Sequence, residues 1–362
     1  MEKIHLVFPE KIGTIFPRIY GAFIEHLGSV VYDGIYCGED SGAEHIHGFR
    51  KFIIDALKKA GISLLRWPGG AVCSAASAAV VKFTPDDARN AYSATAEFVR
   101  DCTPRDAGTI RGRLAANWIM DRVSRTGVDA TVDSFRADSP RGMRQFANVV
   151  VEFKGSKPNA PWIVLISHFD TPPNIGKGFE GANDGASTTA LLIALAGAIR
   201  RAGPLPDNIM LLWTDAEECM VSYADNDGFQ GAKHALKGFR DRRRAVKAAI
   251  GLDMLGDRDL HIQMPANGTV KLQNAVFEAA KRAGLEGLVS LGKDVVKDDF
   301  AVFHDAGCPA VNLIDFHFGS APGRNDYWHT VEDKMDKISE ESLLKSGMLV
   351  VELLNMLEGN GK

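Results

Sequence analysis

The feature that most constrains this chain is a series of short apolar runs alternating with helix-period stretches from residue 84 to residue 357. The runs 162–166, 208–213, 248–252 and 310–314 are apolar at nearly every position, the pattern of strands covered on both faces. Between and around them, 187–200, 269–283 and 340–357 carry apolar residues at helical spacing. Upstream, Thr84-Pro85-Asp86-Asp87 places Pro at a first helical position, which predicts a helix continuing to residue 101. A second helix over 109–125 is stopped by Gly127, and strands are expected at 129–135 and 147–154. Strands alternating with helices imply an α/β fold, a three-layer sandwich with a central, mostly parallel sheet and helices on both faces.

The chain has 362 residues and a net charge of −4, so no basic excess supports charge-driven binding to nucleic acid or to a membrane surface. No apolar run approaches the roughly 20 residues that span a bilayer. Five scattered cysteines without a CxxC spacing argue against a disulfide framework and against cysteine-ligated zinc. The start, Glu2-Lys3-Ile4-His5, leads into no apolar stretch and does not read as a signal peptide. Residues 1–70 read as a separate short α/β fragment: an extended start, an amphipathic helix over 47–60 with Phe49, Phe52, Ile53 and Leu57 on one stripe, and a strand at 62–67. The small-residue run 70–79 suggests a linker over 71–83, with a catalytic domain over 84–362.

Polar residues cluster just past the carboxyl ends of the apolar strands, where open α/β sheets place their sites. They are Ser167-His168-Phe169-Asp170, Asp215-Ala216-Glu217-Glu218 and Asp253-Met254-Leu255-Gly256-Asp257, joined by Asn183-Asp184-Gly185 at a helix start and by Trp328-His329-Thr330 before the last helix. Each has a bland reading: Asp184 as an N-cap, Glu217-Glu218 as a solvated turn, His168 as a core histidine, His329 as a packing corner. Taken together they put several carboxylates and two imidazoles at one sheet edge. Such density calls for a compensating cation, and oxygen and imidazole donors without sulfur suit zinc.

Those motifs carry a resemblance. Residues 84 to the C-terminus resemble the zinc-dependent exopeptidase superfamily of aminopeptidases and glutaminyl cyclases. For a two-zinc aminopeptidase the resemblance implies one metal on Asp184, Glu218 and His329, a second on His168, Asp184 and Asp253, and Glu217 as general base. Three features resemble the one-zinc glutaminyl cyclase branch: Trp328 directly before His329, the insertion 219–230, and Asp298-Asp299 before Phe300-Ala301-Val302-Phe303. That branch implies a single zinc on Asp184, Glu218 and His329 and conversion of the N-terminal glutamine of a peptide or protein to pyroglutamate with release of ammonia. Glu217 would move the proton, Asp253 and Asp298 would form an acidic hydrogen-bond network, and Trp328 would line the substrate pocket. The sequence departs from the animal cyclases at Tyr223, where they carry a tryptophan, and at Asn312 and Phe300, where they carry histidines. A zinc aminopeptidase and a metal-binding module without activity remain the alternatives. The compartment is open, although such catalytic modules resemble exported enzymes.

Residues 1–70 resemble the opening of family fifty-one α-L-arabinofuranosidases through Ile19-Tyr20-Gly21-Ala22-Phe23-Ile24-Glu25-His26-Leu27-Gly28 and Leu65-Arg66-Trp67-Pro68-Gly69-Gly70. Nothing after Gly70 matches their downstream carboxylates, and a closed (β/α)8 barrel needs about 250 residues. A truncated fragment without glycosidase activity is expected.

Overall fold

The computed structural model describes residues 21–23, 44–46, 49–59, 64–66 and 80–359. The chain divides into two units, Met1–Ala76 and Ser77–Lys362. In the first, β1 (Gly21–Phe23) pairs in parallel with β4 (Leu64–Arg66), and β2 (His45–Ile46) pairs antiparallel with β3 (Phe49–Arg50). Helix α1 spans Lys51–Lys59, shorter than the expected 47–60 because Phe49 belongs to the preceding strand. Phe52, assigned to its apolar stripe, is exposed. Glu25, His26, Trp67 and the run 70–79 lie outside the described residues.

The second unit opens earlier than the expected linker allows. Val81 is buried, its N–H donates to Asn355 Oδ1 (2.8 Å), and Asn355 Nδ2 donates back to its carbonyl (2.9 Å). A side-chain amide that copies a strand partner fixes residues 80–83 against the last helix, so they belong to the folded unit rather than to a tether.

The helices α2 (Pro85–Cys102) and α3 (Ile110–Arg125) start where the sequence signals them. Thr84 closes a capping box with Asp87, and the Thr109 hydroxyl accepts from the Gly112 N–H. Next come β5 (Thr131–Ala137), β6 (Arg144–Phe153), β7 (Trp162–His168), α4 (Thr188–Ala202) and β8 (Asn208–Thr214). They are followed by α5 (Gln230–Asp241), β9 (Val246–Asp253), β10 (Ile262–Met264) and α6 (Val270–Ala283). The chain closes with β11 (Val289–Leu291), α7 (Asp299–Asp305), β12 (Ala310–Ile314) and α8 (Glu340–Leu357).

Eight strands form one sheet in the order β11-β10-β12-β9-β7-β8-β6-β5. Its centre, β12-β9-β7-β8, is parallel, while β10–β12, β8–β6 and β6–β5 are antiparallel, so the sheet is mixed. Alternate side chains of the central strands enter different cores. Ile163, Leu165, Ile209, Leu211, Ile250 and Leu313 meet the layer of α2, α3, α4, α6 and α8, whereas Val164, Ile166, Met210 and Leu212 meet α5 and α7. Both faces are therefore dry, and the apolar runs of the sequence have their physical reason. The carboxyl ends of β7, β8 and β9 lie side by side at one edge, and the candidate residues leave the sheet there.

Candidate metal centre

Strand β7 ends on His168, and Asp170 follows it. Strand β8 ends on Thr214 and turns at Ala216 (φ 59°) into Glu217 and Glu218. Strand β9 ends on Asp253 and turns at Met254 (φ 49°). Asp184 does not cap a helix. At Asp184 (φ −78°, ψ 103°) and Gly185 (φ +83°) the backbone leaves helical geometry, and α4 begins only after Ser187. Gly185 is needed there: beyond the left-handed φ, a Cβ would lie 3.1 Å from His168 Cε1 and from the Asp170 carbonyl. His329 itself has φ 53°. Left-handed non-glycine residues at three approaches to one point are local strain of the kind folds keep at working sites.

These turns bring Asp184, Glu218 and His329 together, with one donor atom from each lying within 4.8 Å of the others. His329 Nε2 lies 2.9 Å from Glu218 Oε1 and 3.2 Å from Asp184 Oδ2. A second group, His168, Asp184 and Asp253, meets the same limit: His168 Nε2 lies 3.1 Å from Asp184 Oδ1 and 3.2 Å from Asp253 Oδ1. A third set, His168, Glu217 and Glu218, overlaps both. Asp184 is the shared member, one oxygen toward each imidazole.

The donor set fits a divalent cation. Asp184, Glu217 and Glu218 are buried, and Asp184 Oδ2 accepts no hydrogen bond. An unsatisfied buried carboxylate oxygen is costly unless a cation meets it. Burial, which by itself depresses an imidazole, is outweighed at His329 by the neighbouring carboxylates of Asp184 and Glu218, and its pKa is pushed up to about 10. Burial, then the charge of Asp184, pushes Glu218 up to about 7. Glu217 is held well above the usual carboxylate range by burial first and by the neighbouring Glu218 second.

Two further carboxylates hold the ligand loops in place. Asp170 accepts from the backbone N–H groups of both Glu217 and Glu218 (3.1 Å each). Asp333, four residues after His329, does the same for Asn183 (2.7 Å) and Asp184 (3.1 Å). Asn183 in turn accepts from Gly256 N–H (2.9 Å), tying the β9 turn to this loop. Beneath them sits Arg105, with no exposed surface. Its guanidinium donates to the carbonyls of Phe169 (2.6 Å), Glu180 (2.9 Å), Gly181 (2.7 Å) and Asp184 (3.1 Å). Its charge is balanced by the buried Asp333, Asp184 and Asp170.

Beside this group runs an acidic chain. Asn312 Nδ2 donates to Asp298, whose other oxygen caps the Asp299 N–H at the start of α7, and Asp299 accepts from the Thr214 hydroxyl. Burial, then the charge of Asp253, pushes Asp298 up to about 7. Phe300 is wholly buried in the core on the α5 and α7 side. Trp328 is 39% exposed, stacks on His329 (centroids 4.1 Å) and meets Phe316 edge-on. With Ile314, Phe316 and Val296 it lines a cavity of about 290 Å³.

Arg105 has no sequence signal, because a lone arginine in a loop carries no local mark of a buried partner, and Asp333 ends the polar group 327–333 with nothing in the pattern to mark it as a clamp. Asp170 stood in a recognised motif, but its role as a clamp did not.

The profile of peptidase family M28 matches residues 148–354, which contain every residue of the three donor groups. The crystal structure of a glutaminyl cyclase from an Acidobacteriales bacterium is 31% identical, covers 82% of this chain and 100% of that one, and superposes with a TM-score of 0.70. A glutaminyl-peptide cyclotransferase of Drosophila melanogaster is 26% identical over 263 residues, 65% of this chain and 72% of the relative. The N-terminal segment has its own likeness: an intracellular exo-alpha-L-arabinofuranosidase of Bacteroides ovatus is 49% identical over 57 residues, 16% of this chain but only 11% of that protein. Since the family profile spans more than half of the chain and the strand-end carboxylates and imidazoles fall within it, this chain belongs to peptidase family M28.

Proposed function

We propose that the chain is a zinc-dependent glutaminyl cyclase that converts the N-terminal glutamine of a peptide to pyroglutamate and releases ammonia. The observation that carries this reading is the joining of two arrangements. Asp184, Glu218 and His329 converge on one point, and the buried Glu217 sits beside Glu218 with the Asp298–Asn312 pair behind. The 31% identical structure is itself a glutaminyl cyclase.

When bound by Asp184, Glu218 and His329, zinc supplies a Lewis acid for the γ-carboxamide carbonyl. The residues of the chain do the rest. Glu217 accepts a proton from the α-amine as its nitrogen bonds to the γ-carboxamide carbon, then delivers a proton to the departing ammonia as the carbon–nitrogen bond of the amide breaks. Asp253 and Asp298, both shifted toward the protonated form, keep protons close to Glu217 and limit negative charge around it. Trp328 offers an apolar face to the methylenes of the glutamine side chain. The reaction is intramolecular, so orientation and exclusion of water supply much of the rate.

One observation favours a second reading, a two-metal aminopeptidase: His168, Asp184 and Asp253 also form a compact donor group. A paired assay with an N-terminal glutaminyl peptide and a leucyl anilide, with and without a chelator, separates the two. Ammonia and a pyroglutamyl product that vanish with the chelator support the cyclase; anilide cleavage with two zinc ions per chain supports the peptidase. Inertness toward both substrates overturns both. His329→Ala is expected to lose the zinc along with the activity, and a full zinc complement in that variant would remove His329 from the ligand set.

Every one of these residues lies in the unit from Ser77 to Lys362, which has its own core. Removing residues 1–76 is therefore expected to leave zinc content and turnover within about twofold. A loss of folding in the shortened chain, seen by circular dichroism, would show that the first unit is needed.

A further inference from the structure

We infer that Tyr223 is a positioning residue for the metal ligand Glu218, an inference that rests on the metal centre proposed above. The Tyr223 hydroxyl donates to Glu218 Oε2 (3.3 Å), while the other carboxylate oxygen, Oε1, faces His329 Nε2 at 2.9 Å. The two oxygens thus have separate tasks, one turned to the ligand group and one held by a phenol.

The loop that carries Tyr223 is built to hold that hydroxyl in place. The Asp227 carboxylate accepts the N–H groups of Met220, Val221 and Ser222. Lys233 Nζ bridges the carbonyls of Asp225 (2.9 Å) and Gly228 (3.0 Å). The end of the loop is stitched to the turn after β8 that leads into Glu218: Phe229, Gln230 and Gly231 donate their N–H groups to the carbonyls of Glu217, Ala216 and Asp215. The Tyr223 ring stacks on Phe229 with centroids 4.8 Å apart and planes 9° apart. Its other flank needs a glycine. At Gly228 (φ +83°) a Cβ would come within 2.5 Å of Tyr223 Cδ1. A ring confined in this way loses little entropy when its hydroxyl bonds, so the hydrogen bond acts as a fixed second layer behind the ligand.

The physical consequence is directional. With Oε2 occupied, Glu218 presents a single oxygen, and part of its negative charge is drawn away from the ligand group. Three protein ligands of this kind leave a coordination position open for a carbonyl oxygen. A ring without a hydroxyl at this position could not hold Oε2 in this way.

The test is Tyr223→Phe, which keeps the stacked ring and deletes only the hydroxyl. Zinc affinity, read by competition with a chromophoric chelator, is expected to fall about 10-fold, the lower end of the effect seen when a group behind a metal ligand is removed. The unfolding midpoint of the metal-free variant should match the parent. An affinity within twofold of the parent overturns the proposal. A fall accompanied by a clearly lower metal-free midpoint also overturns it, because packing would then be the cause. A parent chain that takes up no zinc overturns the metal centre itself, a result that the comparison of parent and variant keeps distinct from failure of the tyrosine's role.

Discussion

Replacing Glu217 by glutamine is expected to lower turnover by about 10²- to 10⁴-fold, the usual contribution of a positioned proton carrier, while zinc stays bound. The amide keeps the shape of the carboxyl but cannot take a proton from the attacking amine. It also leaves Asp184, Glu218 and His329 untouched. Zinc content should therefore match the parent's. Ammonia release and zinc content measured on the same sample decide the matter. A variant that turns over within a few-fold of the parent would take Glu217 out of the reaction.

Arg105→Met is expected to destabilise the fold by about 3–5 kcal/mol, the cost of removing one partner from a buried charged network. The methionine fills most of the volume but takes the guanidinium's donors from the carbonyls of Phe169, Glu180, Gly181 and Asp184, of which Glu180 keeps the Thr103 hydroxyl and Gly181 the Ala186 N–H, and it leaves Asp170, Asp184 and Asp333 without a balancing cation from below. Arg105→Lys should recover little, since an ammonium cannot spread over four acceptors as a planar guanidinium does. Urea unfolding of the metal-free chains reads the loss directly. A change under 1 kcal/mol would mean that water replaces the guanidinium and that the residue is not the support described.

Much of the fold was legible because the central strands are covered on both faces. A run such as Ile163-Val164-Leu165-Ile166 has one comfortable environment, and helix α2, packed on the same face, announces itself through Thr84-Pro85 at its start. Helix α5 was not legible. Its first turn follows Phe229 in a left-handed conformation with no side-chain cap, and its leading N–H groups are used by strand-end carbonyls, a tertiary arrangement that leaves no local signature. The three-residue strands β10 and β11 are too short to show a period, and they hold their place through pairing with β12 and with each other. At the site, the residues that face the cation stood out because charge at the end of an apolar strand is conspicuous. The residues that hold them did not: Asp333 acts on a backbone about 150 positions away, and at such a distance sequence pattern is silent.

The clamps at Asp170 and Asp333 are crossed. Asp170, beside His168, grips the loop of Glu217 and Glu218; Asp333, beside His329, grips the loop of Asp184. The backbones of Asp184 and Glu218 are thus each held by a carboxylate from a distant stretch of chain. Copying the three donors alone onto another α/β scaffold would not transplant the centre. The smallest portable module includes the segments of Asp170 and Asp333 as well as the three donors, and damage to either clamp should be felt at the ligand loop it holds.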